Sequence, residues 1–515
     1  MAKRANATPE ISGTRFAKPP PVTKRALPIL LLLASCAVGP DYRRPAGPDP
    51  SSYTETDLGR RTARADTTGG AAQTLDVGAS VAARWWDLFR SPDLSRLVAI
   101  AIARNPGLEA ARDALRNAQE LTLAQYSGLF PAVTGQVQNT AGRFPFASSD
   151  IPNQAINFSY YDAQLTLTYN FDVWGLTRRT IEQRAALADD QRFLLEATYL
   201  TLVGNVVATA INEASLRAQI AAQRTLIDAD RSYLKVIENQ FTLGGATGTD
   251  VALQQAQLAQ AEAVLIPLQT QLAQSRDALA AYLGAVPAEA DLPDFTLDSL
   301  SLPPDLPLSL PADLIAQRPD IRQADANLHA ATAAIGIAIA NRLPQVTINA
   351  QIGSVALQAG QLFSPGNGLA TLLSSILQPI FEGGNLLHQQ RAAVATARQQ
   401  AALWRQTVIG AFQNVADVLQ ALQGDSRLLA ADLDAERAAA KGLSLAQLQY
   451  RLGGASYITV LTAEITDQTA IIALARAQAA RFADSAALFV ALGGGWWNRD
   501  DLPPPPPGVL KSLLP

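Results

Sequence analysis

The chain repeats itself, and a repeat limits the possible folds more than any single motif. Asn105-Pro106-Gly107-Leu108 has a counterpart in Arg318-Pro319-Asp320-Ile321. Leu129-Phe130-Pro131-Ala132-Val133-Thr134 has one in Arg342-Leu343-Pro344-Gln345-Val346-Thr347, again 213 residues on. Farther along, Phe241-Thr242-Leu243-Gly244-Gly245-Ala246 matches Tyr450-Arg451-Leu452-Gly453-Gly454-Ala455 at a spacing of 209, which Leu283-Gly284 and Leu492-Gly493 keep. Self-similarity at a fixed spacing means that one structural unit is built twice. Repeat 1 is expected over 95–285 and repeat 2 over 312–493, joined by the Pro- and Asp-rich segment 286–311, which reads as a loop. A leader (1–35), an N-terminal segment (36–94) and a Pro-rich tail (494–515) complete the division.

Each repeat mixes two periodicities. In Gln164 to Val173, Leu165, Leu167, Tyr169, Phe171 and Val173 alternate with polar residues, and Val346, Ile348, Ala350 and Ile352 do the same from Gln345 onward. Alternation of this kind marks a strand with one apolar and one wet face. Four strands follow, near 132–140, 158–173, 345–354 and 369–381, and the Gly-, Ser-, Asn- and Pro-rich stretches 141–156 and 354–368 read as the loops between them.

The remainder reads as helix. From Leu176 to Phe241 there is no proline, and Ala, Gln, Leu and Arg dominate. That length at ~1.5 Å per residue makes a rod of ~100 Å, which no ordinary globular domain needs. Val251, Leu258, Leu265, Leu272 and Leu279 recur every seven residues, and Leu461, Ile465, Ile472, Ala475, Ala479, Phe482, Ala486 and Phe489 follow spacings of mostly three and four. Both are coiled-coil seams, and Gln468 is a polar interruption that would set register.

Four strands cannot close a transmembrane barrel, since bacterial barrels need about eight or more. An open edge in lipid would leave backbone groups unbonded at several kcal/mol each, so several copies must combine. Composition excludes much else. One cysteine and two histidines, His329 and His388, leave no Cys/His zinc site and little Cys/His nucleophilic chemistry, so an enzyme is not expected and no cofactor is implied. A net charge of −4 argues against a nucleic-acid partner, and no Walker-type Gly-Lys-Ser/Thr loop is present.

Near the N-terminus, Lys24 and Arg25 precede the apolar run Leu27 to Ala34, too short to span a bilayer and suited to a signal peptide. Leu33-Ala34-Ser35-Cys36 resembles a bacterial lipobox, which makes Cys36, the only cysteine, the expected site of lipidation. Ala37 and Val38 directly after Cys36 are not aspartate, which favours outer-membrane over inner-membrane retention. The long stretch before Lys24, with Pro19, Pro20 and Pro21, suggests a translation start farther downstream.

The run Arg84-Trp85-Trp86-Asp87-Leu88-Phe89, the corner Asn170-Phe171-Asp172-Val173-Trp174-Gly175, the matching Pro379-Ile380-Phe381-Glu382-Gly383-Gly384 and the turn Tyr450-Arg451-Leu452-Gly453-Gly454 together resemble the TolC-like outer-membrane efflux factors. With Cys36 and the following Val38-Gly39-Pro40-Asp41-Tyr42, the likeness is to their lipid-anchored OprM branch. The resemblance implies a mixed α/β membrane protein: a homotrimer with an outer-membrane β-barrel, four strands from each chain, continued by a long periplasmic α-helical barrel. It implies passive conduction from a periplasmic adaptor and an inner-membrane pump of the RND type to the exterior, the cargo ranging over drugs, metal ions or secreted proteins. The rival reading is a lipid-anchored periplasmic coiled-coil scaffold.

By the same resemblance, Leu243, Gly244, Gly245, Leu452, Gly453 and Gly454 form the adaptor-contact tips. Tyr450, Tyr457, Thr462 and Asp250 are gate candidates. Thr462 stands where the family has a pore-constricting aspartate, a departure from the family pattern. A carboxylate at Asp250 also suits the first turn of a helix, where it complements the helix dipole.

Overall fold

The doubling in the sequence is a doubling of elements. The computed structural model describes residues 37–500 apart from 49, 51, 57, 149 and 150, so Cys36, the leader and residues 501–515 lie outside the described residues. In chain order the elements are β1 (Thr74–Val77), α1 (Pro92–Arg104), α2 (Pro106–Tyr126), β2 (Ala132–Ser148), β3 (Ile151–Phe171), α3 (Leu176–Thr242), α4 (Gly248–Tyr282), β4 (Asp305–Leu308), α5 (Pro311–Gln317), α6 (Pro319–Ala340), β5 (Gln345–Ala356), β6 (Gly368–Leu377), α7 (Asn385–Arg451) and α8 (Tyr457–Ala491). Helices α3 and α7 have 67 residues each, and α4 and α8 have 35 each. Each pair begins 209 residues apart.

The chain divides into two compact units. One, built on Ala132–Arg178 and Ala340–Ile380, is an antiparallel sheet in the order β2-β3-β5-β6. Its register puts Val133 beside Leu167, Leu165 beside Ile352 and Ala350 beside Leu372, so the apolar residues share one face. Many of them, including Val137, Ile352, Leu372 and Ile376, are exposed in the single chain. The other face carries a polar ladder: Thr168 donates to Asn349 at 2.9 Å, Thr347 to Asn170 at 2.9 Å and Thr371 to Gln351 at 3.2 Å. Within the chain β2 and β6 are the edges of this sheet.

Three expectations need correction. Residues 141–156 are mostly not a loop: β2 and β3 run on to Ser148 and from Ile151, paired almost throughout. Cross-strand cover explains how a glycine is tolerated there, because Gly142 pairs with Phe158, whose ring lies 2.7 Å from where a Cβ would stand. Segment 286–311 is not all loop either, since β4 pairs in parallel with β1 and buries Leu306 and Leu75. Strand β6 ends at Leu377 rather than near 381, and its alternation is broken by Leu369, Leu373 and Leu377 on the polar side of the register.

The second unit is helical. Its main core joins α1, α3, α7 and α8 around Trp85, Trp404 and Phe489, with the Trp85 and Phe489 rings stacked 5.3 Å apart. The segment before α1 is bound into this core by a buried arginine. Arg481 of α8 donates to the Leu422 carbonyl at 3.0 Å, to Gln73 Oε1 at 2.8 Å and to Thr62 Oγ1 at 3.1 Å. Gln73 in turn donates to Ser485 at 2.8 Å. The start of the tail is folded as well: Trp496 is buried and its indole N–H donates to the Gln317 carbonyl at 2.6 Å. Windows of 18 residues in α3 and α8 are apolar enough to cross a membrane by composition, but half of the α3 window packs inside the chain.

The seams follow the expected spacing with one shift. In α4 the alternate seam positions, between the heptad leucines, are Gln254, Ala261, Leu268 and Ser275, all buried. In α8 the buried line near its start is Tyr457, Val460, Leu461 and Glu464, leaving Ile465 exposed. Gln468 donates to Gln223 of α3 at 3.2 Å, a polar contact between the two helices.

Arg481→Met keeps the length of the side chain but removes three hydrogen bonds and leaves Gln73 Oε1 without its donor. The expected loss is roughly 2–4 kcal/mol, seen as a lower unfolding midpoint of the helical signal in detergent.

Candidate functional site

The two long helices end alike. At the end of α3, Gly244 has φ +78°, and the Gly245 N–H donates to the Gln240 carbonyl at 2.7 Å. At the end of α7, Gly453 has φ +74°, and the Gly454 N–H donates to the Gln449 carbonyl at 2.8 Å. Glycine takes positive φ without a steric penalty, and these bonds satisfy carbonyls that the ending helix leaves open. Leu243 and Leu452 project from the turns and are 86% and 77% exposed. Two copies of a turn thus present one apolar side chain each at the end of a helix pair.

Asp250 is engaged locally. It accepts from the Thr247 N–H at 2.8 Å and from the Thr247 hydroxyl at 2.7 Å, while the Thr247 oxygen accepts from the Asp250 N–H, a reciprocal cap at the start of α4. Thr462 is exposed and spends its hydroxyl on the Ile458 carbonyl at 2.8 Å, along a groove of small residues that includes Ala439, Gly442 and Ala463.

The two tyrosines join the repeats. The Tyr450 hydroxyl of α7 donates to Gln240 of α3 at 2.7 Å, and the Tyr457 hydroxyl of α8 donates to Gln254 of α4. Tyr457 lies 5.9 Å from the Tyr233 ring and 5.8 Å from the Tyr450 ring, measured between centroids. Burial pushes the Tyr457 hydroxyl well above its usual range, so it stays a donor across the physiological range.

Beneath this aromatic group lie acids that sequence reading passed over. Asp230 is fully buried and accepts from Gln254 Nε2 at 3.0 Å, while its Oδ2 has no hydrogen-bond partner. Glu464 is 3% exposed, and its Oε2 has none either. Burial first, then the negative charges of Asp230 and Asp467, pushes Glu464 up to about 7. Burial also raises Asp230, against the hydrogen bond from Gln254, and raises Asp467, with Glu436 adding to it. One signal could have found Glu464: counted from Tyr457, spacings of three and four reach Val460, Leu461, Glu464 and Gln468. Thr462 thus lies at the surface, while Asp230 and Glu464 are buried inside the seam.

His329 is held by its Nε2, 2.9 Å from Glu182 Oε1, and stacks on Tyr42 at 4.3 Å. Among the described residues no three His, Cys, Asp or Glu side chains gather closely enough to hold a metal ion.

A carboxyl whose folded pKa lies above its unfolded value favours the folded state only while protonated. The tip should therefore lose stability as pH rises from about 4.5 through about 7. Glu464→Gln should flatten that slope and stabilise the tip at pH 8 by roughly 1–3 kcal/mol. Amide hydrogen exchange of residues 455–470 against pH reads it, and an unchanged slope would contradict the assignment.

Comparison with known proteins accords with this architecture. The profile of the outer membrane efflux protein family matches residues 97–285 and 310–494. The pyoverdine export outer membrane protein OpmQ of Pseudomonas putida is 30% identical over 416 residues, covering 80% of this chain and 87% of that protein. The solvent efflux pump outer membrane protein SrpC of Pseudomonas putida is 29% identical over 447 residues, covering 85% and 92%. Among solved structures, the outer-membrane channel OprN has a TM-score of 0.79 at 25% identity over 90% of this chain and 100% of its own. The outer membrane protein VceC of Vibrio cholerae has a TM-score of 0.73 at 26% identity over 81% and 100%. The strands and long helices are those of the outer-membrane channels with a β-barrel and a helical barrel, and because the family profile takes in both repeats, the chain belongs to the outer membrane efflux protein family.

Proposed function

We propose that three copies of this chain form the outer-membrane exit duct of a three-part efflux system. The observation that carries the reading is the sheet: one face apolar and exposed, the other a polar ladder, with β2 and β6 unpaired at its edges. Such a sheet fits a wall between lipid and water, and only further copies can pair its edges. Three copies give twelve strands, and the number three comes from the family. A pure coiled-coil scaffold has no use for this sheet.

Conduction is passive in this reading. Energy comes from an inner-membrane pump of the RND type through a periplasmic adaptor, which meets the tips at Leu243, Gly244, Gly245, Leu452, Gly453 and Gly454. The Tyr450–Gln240 and Tyr457–Gln254 bonds hold the helix pairs of the two repeats together, so they serve as latches on the closed end. Acylation at Cys36 fixes the chain to the outer membrane, since each buried methylene contributes ~0.8 kcal/mol. The cargoes named for the relatives, pyoverdine and organic solvents, have little chemistry in common, which suits a duct that leaves selection to the pump.

Purified protein should have the native mass of a trimer and show a small, flickering conductance in a planar bilayer. Tyr450→Phe with Tyr457→Phe should raise the open time several-fold. A species that never conducts, even with both hydroxyls removed, would refute the gated duct.

A further inference from the structure

A cleft of about 410 Å³ runs between α2 and α3. Its floor is apolar, made by Leu108, Leu115, Leu195 and Tyr199, all of them buried. Along the α2 wall stand Arg112 and Arg116, one turn apart and exposed. Arg112 reaches the Ile102 carbonyl at 3.4 Å. Among the described residues neither arginine forms an ion pair, although Glu120 lies one turn beyond Arg116. Like charges one turn apart on a helix repel, so this wall favours an acidic occupant.

The last described residues lead into the cleft. Asn498 donates to Ser80 Oγ at 2.9 Å and to the Val81 carbonyl at 2.7 Å, which fixes the chain just before Arg499. Arg499 itself lines the cleft: it donates to the buried Glu196 at 2.8 Å, and its guanidinium lies 3.9 Å from the centre of the Tyr199 ring. Glu196 and Arg499 answer each other, which leaves two arginines against Glu120 alone. The backbone at Arg499 has φ −81° and ψ 138°, the values of a polyproline II helix.

The sequence that follows suits both the geometry and the lining. Asp500 and Asp501 come first, then Leu502, then the five prolines Pro503 to Pro507. A proline run favours the conformation that Arg499 already has. At ~3.1 Å per residue, Asp501 to Pro507 reach ~22 Å. The cleft wall from Leu108 to Glu120 measures ~18 Å at ~1.5 Å per residue. Two acids match two arginines, and leucine and proline rings match a floor of leucine and tyrosine, the kind of surface on which polyproline segments dock. Because Arg499 is anchored at the cleft, the segment beyond it meets this surface at high effective concentration.

We propose that Asp500 to Pro507 lie in the cleft between α2 and α3 of their own chain as a polyproline strap. Asp500 and Asp501 face Arg112 and Arg116, and Leu502 and the prolines cover the leucine and tyrosine floor. The strap ties α2 to the end of the helical unit. It concerns a single chain and does not depend on the duct reading.

The test places a nitroxide at Gly508→Cys in the full chain, with Cys36→Ser making the label unique. Its spectrum in detergent should be that of an immobilised label. Arg112→Glu with Arg116→Glu should raise the mobile fraction several-fold, and adding Asp500→Arg and Asp501→Arg should restore immobility. Asp500→Asn with Asp501→Asn, which leaves the helices untouched, should also free the label. A label that is mobile from the start, or that stays immobile through these changes, would overturn the proposal. A flexible bis-maleimide joining Gln119→Cys to Gly508→Cys in the same background should give a loop within one chain. A two-chain product would assign the cleft to a neighbour's tail, and no link at all would place the tail elsewhere; either result overturns the strap.

Discussion

A β-strand in lipid has nowhere to place its unpaired backbone groups except on another strand. The four-stranded sheet has two such edges, β2 and β6, and its exposed apolar face is suited to hydrocarbon rather than water. In the proposed duct that requirement is met with identical copies. A closed wall of several chains demands that each chain present matching edges, and the pairing of β3 with β5 already joins the two repeats within one chain.

The helical unit obeys a different constraint. Its rods need a seam that is apolar enough to pack and polar enough to hold register, and the seam includes Gln254, Gln468 and Ser275 beside Leu268 and Leu279. Toward the tip the balance shifts to side-chain hydrogen bonds and buried acids. Buried carboxyls without full partners are a cost that tightly packed leucines would avoid. Their presence close to the turns makes the packing of this end sensitive to pH.

Much of this was legible from spacing. The strand Gln345 to Ile352 is visible because every second residue is apolar, and the 67-residue helices because long runs lack proline. The extended hairpin was hidden because Phe144-Pro145-Phe146 breaks alternation, whereas cross-strand pairing leaves no mark in the periodicity. The small parallel pair β1 and β4 was hidden by brevity and by Pro307. Glu464 was passed over for Ile465 because hydrophobic periodicity counts apolar side chains, and a buried acid is invisible to that rule. Thr462 was legible only as a departure; where the acids had gone required the packed helices.

The unequal hairpins have a further consequence. Strand β3 pairs with β5 only as far as Tyr161 opposite Ala356, while β2 and β3 continue together as a two-stranded ribbon to Ser148 and Ile151. The ten residues from Ile151 to Tyr160 amount to roughly 33 Å of extra strand at ~3.3 Å each, before any tilt. A wall of alternating long and short hairpins has a crenellated rim. In the proposed duct the long hairpin of each copy would stand beyond the short one as a ribbon of β2 and β3 paired only with each other.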